Sequence, residues 1–247
     1  MKVLDKKERE ALKKKQLRNN IIYVIFAAIV LYICLFILLN GGGYKRDESL
    51  NVHYDLYHDL IPDPIQHSIS SETFTINVRG VDVNFTKLAS YDITGKVEAI
   101  QDYNTNPIAN MLSFKGTNII DYISPVDFTL SWGKIALMEN SNHIWSDQYY
   151  LNRDRVVTTF YDNELIDKYG KDYINSHFSN NHIITMDRGI RNELSKVKIT
   201  DIIRMQGYLV NVECSNGVRW GPSSMSRTDD GLHSCEIFYI EKFIKMK

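Results

Sequence analysis

Proline is sparse in this chain, with five residues among 247, and cysteine is sparser still, with three. So few prolines argue against a fibrous or linker-like chain, and three cysteines cannot staple a small disulfide scaffold. Net charge is almost absent, at −1. Internal repeats and low-complexity tracts are missing too, which excludes solenoid and collagen-like classes. No motif with the spacing of a known catalytic or metal-binding signature occurs. What is present, 44% hydrophobic and 24% charged residues, is the composition of a folded chain.

The near-zero total hides a split. Residues 1–20 hold eight Lys/Arg against three Asp/Glu, a balance of +5, which leaves −6 for the remainder. A mildly acidic main body gives no electrostatic reason to bind nucleic acid. Between the two parts runs Ile21–Leu39 (IIYVIFAAIVLYICLFILL), nineteen residues without charge, Pro or Gly. As a helix it reaches about 28 Å, enough for a hydrocarbon core of about 30 Å. The sequence therefore predicts a single-pass transmembrane helix whose partner is membrane lipid. Lys13, Lys14, Lys15 and Arg18 flank it on one side only, so the positive-inside rule puts the N-terminus in the cytoplasm. The remainder is then periplasmic or extracellular, held in the inner (cytoplasmic) membrane. A cleaved signal peptide has a shorter apolar core, about 7–15 residues, and a small-residue site, which Asn40-Gly41-Gly42-Gly43 does not supply.

Residues 40–72 read as a stalk, with Pro62-Asp63-Pro64 disfavouring helix, and residues 73–247 as one domain. Phe74, Ile76 and Val78 alternate with polar residues, as do Val81, Val83 and Phe85, predicting a hairpin with Arg79-Gly80 at its tip. A third strand is expected over Tyr91–Ile100, with Gly95 marking a bulge or a close backbone crossing. Ile119–Ile123 reads as a short strand, and Val126–Met138 as either helix or buried strand with Trp132 in the core. Asp162–Ile174 has one apolar helical face and a capping residue at its start. A second short helix is expected after Asp187. Asn216-Gly217 and Asp230-Gly231 separate Ile202–Glu213, Val218–Arg227 and Leu232–Phe243, predicting a three-stranded meander. The fold class is α+β, with a mainly antiparallel sheet, curled or closed into a small barrel, and two short helices.

Two stretches gather reactive side chains. Ser176–His182 (SHFSNNH) offers His177, Asn180 and His182, a set that could bind a ligand or serve as caps and turn residues. Trp220–Glu236 (WGPSSMSRTDDGLHSCE) offers Trp220, Ser224, Arg227, Asp229 and His233, a candidate ligand or partner site centred on Arg227. Too few ligands converge for zinc, so no metal or other cofactor is expected. A bond between Cys214 and Cys235 is disfavoured by register. In an unbroken meander the two are offset by about seven residues, over 20 Å at about 3.3 Å each, where a bridge needs Cα atoms within about 7 Å.

Four segments, SPVDFTLSWGKIA (124–136), SHFSNNHIIT (176–185), QGYLVNVE (206–213) and WGPSSMSRTDDGLHSCE (220–236), together resemble a family of uncharacterised bacterial single-span envelope proteins. The resemblance covers roughly residues 85–245 and implies a bacterial origin and the same tethered layout, with no activity to carry over. The expected function is a tethered interaction module of the envelope, its partner an envelope protein or a second copy of the chain. The alternative is an envelope hydrolase or ligand-binding enzyme, which requires the His177/His182 and Arg227/His233 regions to meet in one cleft.

Overall fold

The computed structural model describes residues 60–103, 119–138, 143–151, 154–226 and 234–246. The expected span at 21–39 lies outside them, and among the described residues no helix is long and apolar enough to cross a membrane. What they form is a mostly β domain with a few short helices, of the α+β kind.

Strand β1 (Ile65–Val78) enters β2 (Val81–Asp102) through the expected two-residue turn. Arg79 (φ 53°) and Gly80 (φ 83°) both take left-handed backbone, as a type I′ hairpin requires, and Val78 pairs with Val81. β1 starts at Ile65, inside the stretch read as stalk, and Ile61 before it is buried. The separate strand expected at Tyr91–Ile100 is instead the second half of β2, one strand of 22 residues. Bulges, not a turn, absorb the change of phase. Pairing slips between Lys87 and Ala89, and again between Val97 and Ala99. An extra residue flips every later side chain to the opposite face. Val83 and Phe85 therefore pack in one core cluster, with Val212 and Ile237, while Tyr91, beyond the bulge, packs on Phe238.

The chain continues through α1 (Ile119–Ile123), β3 (Val126–Ser131), a 3₁₀ turn (Ile135–Leu137), β4 (Ile144–Leu151) and β5 (Asp154–Tyr161). Then follow α2 (Asn163–Tyr169), α3 (Lys171–Ser176), β6 (Phe178–Ile184) and α4 (Arg188–Leu194). It closes with β7 (Ile202–Cys214), β8 (Arg219–Trp220) and β9 (Glu236–Lys245). β2 pairs with β1 and then β3 along one edge and with β7 along the other. β3 pairs with β6, β6 with β9 in parallel, and β9 with β7. Pairing thus runs β2–β3–β6–β9–β7 and returns to β2. β4 and β5 form a separate two-stranded sheet.

Several expectations are corrected. Ile119–Ile123 is a helix, because Ile119, Ile120 and Ile123 share one helical face and all three are buried. Val126–Met138 resolves into strand and then 3₁₀ turn, broken at Gly133 (φ 59°), and Trp132 is fully buried as expected of a core residue. The Asp162–Ile174 helix starts where expected, with Asp162 Oδ1 accepting from Leu165 N–H at 3.0 Å, but Gly170 (φ 79°) splits it into α2 and α3. The helix after Asp187 is α4, capped by Asp187. The meander fails. β8 keeps only two pairs with β7, offset by one residue from the expected register because the loop holds Ser215, Asn216 and Gly217. β9 does not pair with β8 but returns to β7 and adds β6 on its other side. Cys214 and Cys235 are both free thiols, the first buried and the second partly so.

The β2–β7 seam carries a two-pronged ion pair. Arg204 donates to both oxygens of Asp92, at 2.9 and 2.7 Å, and Gln206 adds a bond of 2.7 Å. Partial burial works against the Asp92 carboxylate, but the bonds from Arg204 and Gln206 outweigh it and hold its pKa below the usual carboxylate value. The native state thus binds that proton less tightly than the unfolded chain, and the stabilisation is complete above the unfolded pKa of about 3.9. Asp92→Asn should cost about 1 kcal/mol at pH 7 after solvent screening. Denaturant titrations should show the gap to the parent closing as pH falls from about 4 through the folded pKa. A gap constant with pH would assign the loss to packing. Where pairing slips between Gln206 and Gly207, a Cβ on Gly207 would stand 2.0 Å from the Tyr239 carbonyl oxygen. Gly207→Ala should therefore cost about 2–3 kcal/mol in the same titration. Gly217→Ala, with nothing within 4 Å but φ at 87°, should cost about 1 kcal/mol.

Candidate functional site

Every residue of β3 is buried, although its sequence, VDFTLS, alternates apolar with polar. Register explains how. Asp127 pairs with His182, and Thr129 with Asn180, so these polar groups share one side of the β3–β6 pair. Asp127 Oδ2 accepts from Tyr103 Oη at 2.6 Å and lies 2.7 Å from His182 Nδ1. Asp127 is fully buried and His182 is 5% exposed. The indole of Trp220 leans on the His182 ring, with centroids 4.9 Å apart. Asn180 Nδ2 reaches Cys235 Sγ at 3.6 Å, and Ser224 N–H donates to the Cys235 carbonyl at 3.0 Å.

The polar seam continues along β3. The Thr129 hydroxyl lies 2.7 Å from that of Ser146, which lies 3.0 Å from that of Thr159. Gln101 donates to the Ser146 carbonyl at 2.6 Å, so the β4–β5 hairpin rests on this face through hydroxyls and amides. Further on, Ser131 donates to Glu98 at 2.5 Å and Lys96 Nζ stands 3.3 Å from the same carboxylate. Burial pushes the Glu98 pKa up, against the pull of Lys96 and Ser131. Burying polar groups is costly unless each finds a partner, and here hydroxyls, amides and one ion pair supply them.

The structure brings some of the sequence-predicted residues together. His182, Trp220, Asn180 and Ser224 belong to one neighbourhood. His177 does not. It lies before the other end of β6, roughly 17 Å away at strand rise, stacked on Tyr173 with centroids 3.7 Å apart and 3.8 Å from Asp63. Arg227, Asp229 and His233 lie outside the described residues. His182 and Asp127 have the geometry in which a carboxylate orients an imidazole. Ser223 and Ser224 spend their hydroxyls on the backbone of Ser224 and Ser226.

His143, Asp162 and Glu164 place ligand atoms within 4.8 Å of one another, the one such cluster among the described residues. Asp162 already serves as the α2 cap and lies 2.7 Å from His143 Nδ1, which accounts for the arrangement without an ion.

A surface feature was missed from sequence. Trp145 and Phe160, paired across β4 and β5, stack with centroids 5.8 Å apart. They remain 43% and 40% exposed, with Ile199 at 48%. Trp145 and Ile199 wall a shallow recess of about 340 Å³ whose lining includes Glu98, Gln101 and Ser146. The signal was the β-branched and aromatic run VVTTFY opposite IWSDQYY, either side of Asn152-Arg153.

No family model, no curated protein and no solved structure matches the chain. Function therefore rests on the site alone. If Asp127 is the keystone of a structural seam, Asp127→Ala should destabilise by about 3 kcal/mol, by stranding Tyr103 and His182. Tyr103→Phe removes one bond and should cost about 1 kcal/mol. Equal losses in a denaturant series would show that the seam does not depend on Asp127.

Proposed function

We propose that this chain is a single-span membrane protein of the bacterial cell envelope whose outer domain is an interaction module. The carrying observation is the exposed Trp145–Phe160 stack beside Ile199. Large aromatic groups held rigid on a surface are the anchors of protein interfaces, since they bury area at little entropic cost. The basic tail and Ile21–Leu39 support the tethered layout, with the N-terminus cytoplasmic and the domain across the inner membrane. The circuit of strand pairing supports reading the sheet as a small closed barrel. Numbered 1–5 along the chain, its five strands follow the order 1-2-3-5-4-1 with only the 3–5 pair parallel, the connectivity of OB-type barrels. In such barrels the outer side of the second and third strands commonly takes polymers. Here β3 and β6 occupy those positions, and the polar side of β3 is buried under β4–β5, which turns interest to the hairpin's outer surface. Glu98 and Asp127 on the covered side also speak against a polyanion.

The enzyme alternative draws on the His182–Asp127 pair alone, because His177 is remote from it. The discriminating experiment is site-specific photocrosslinking in the native membrane. A photoreactive residue in place of Phe160 should give a discrete adduct that Trp145→Ala reduces at least fivefold. The same group in place of Thr75, exposed on β1, should give none. Adducts of equal yield from both positions, or none from either, would remove the basis for the module.

A further inference from the structure

We infer that one end of the outer domain, around Leu60, Lys134, Leu137, Lys168 and Tyr169, rests on the phospholipid bilayer that holds the span. The inference depends on the tethered reading above and adds a second contact to it. The described residues begin at this end, where the Ile61 carbonyl accepts from Gly133 N–H at 3.0 Å. Leu60 before it is 53% exposed and Leu137 after it is 41% exposed. Between and beside them lie groups that suit the zone between hydrocarbon and water. Lys168 Nζ meets Met138 Sδ at 3.1 Å and lies 5.2 Å from the Tyr169 ring centre. Tyr169 Oη donates to the Lys134 carbonyl at 3.2 Å, and Lys134 Nζ lies 5.8 Å from the Tyr173 ring centre. Apolar groups with tyrosines and long-stemmed lysines are the chemistry of an interfacial anchor, where stems lie on apolar surface and ammonium groups reach water.

Two half-exposed leucines would not hold a free domain on a bilayer. They need not. Twenty residues separate Leu39 from Leu60. Even fully extended, a chain of that length reaches no more than about 70 Å. That confinement makes the contact effectively intramolecular, so a weak surface suffices. Asp63, Asp167 and Asp172, exposed at the same end, offset the lysines. The contact is therefore apolar and aromatic in origin, and zwitterionic lipid is enough.

The test uses the full chain in phosphatidylcholine vesicles, with Cys34, Cys214 and Cys235 replaced by serine and a fluorophore attached through Leu137→Cys. Met225→Cys, at a position also exposed but bonded to Gln66 of β1, is the control. A nitroxide carried on the lipid should quench the probe at 137 at least threefold more than the probe at 225. Equal quenching would overturn the inference. Retention of the chain on vesicles after an alkaline wash reports the anchor separately. A chain that washes off contradicts the tether, whereas a retained chain with equal quenching contradicts only the surface contact. Should the cysteine replacements disturb the fold, a diazirine-bearing phosphatidylcholine can be applied to the unaltered chain. It should label 134–138 and 168–171 above 219–225, and uniform labelling would overturn the inference as well.

Discussion

The whole domain depends on β2 being paired on both edges. Its 22 residues hold β1, β3 and β7 at once, so the circuit of strand pairing, the placing of the hairpin and the burial of the polar seam all follow from one strand. A strand that long could not serve two cores if it kept a single alternation. The bulges at Lys87/Ala89 and Val97/Ala99 change its phase, so that Phe85 packs against Tyr239 and Tyr91 against Phe238, on the other face of β9. Gly95 marks a tight crossing, where a Cβ would stand 2.8 Å from that of Leu130. The close approach expected of that glycine is borne out, though the bulges fall on either side of it.

Strand pairing also decides which side chains are buried. β3 and β6 carry Asp127, Thr129, Asn180 and His182, each bonded from within the fold. Such a seam specifies the docking of the β4–β5 hairpin, because hydroxyl and amide pairs tolerate misplacement less than apolar packing does. The hairpin's outer side then presents stacked aromatic rings with nothing described to cover them.

Sequence reading succeeded where a short stretch fixes its own structure. Arg79-Gly80 needs left-handed backbone, and Asp162 and Asp187 each cap a helix with groups three residues away. It failed where partners are distant. β6 reads FSNNHII, and nothing local says that a polar run is a buried strand. Its reason lies in Asp127 and Thr129, some fifty residues earlier, and in Cys235, some fifty later. The parallel pairing of β9 with β6 likewise has no local sign, and the Asp230-Gly231 signal pointed instead to a hairpin. His182 and Trp220 were singled out from sequence, but Asp127 and Tyr103, which give His182 its setting, carried no signal of their own.

Where the domain lies relative to the membrane decides whether any of these surfaces can meet an envelope partner. The most direct measurement is labelling of intact cells with a membrane-impermeant maleimide, comparing Thr75→Cys in the folded domain with Ala11→Cys in the basic tail, each with Cys34, Cys214 and Cys235 replaced by serine. A span directed by its flanking charges gives strong labelling at 75 and none at 11 until the membrane is opened. Labelling at 11 but not at 75, or at neither position in intact cells, would contradict it.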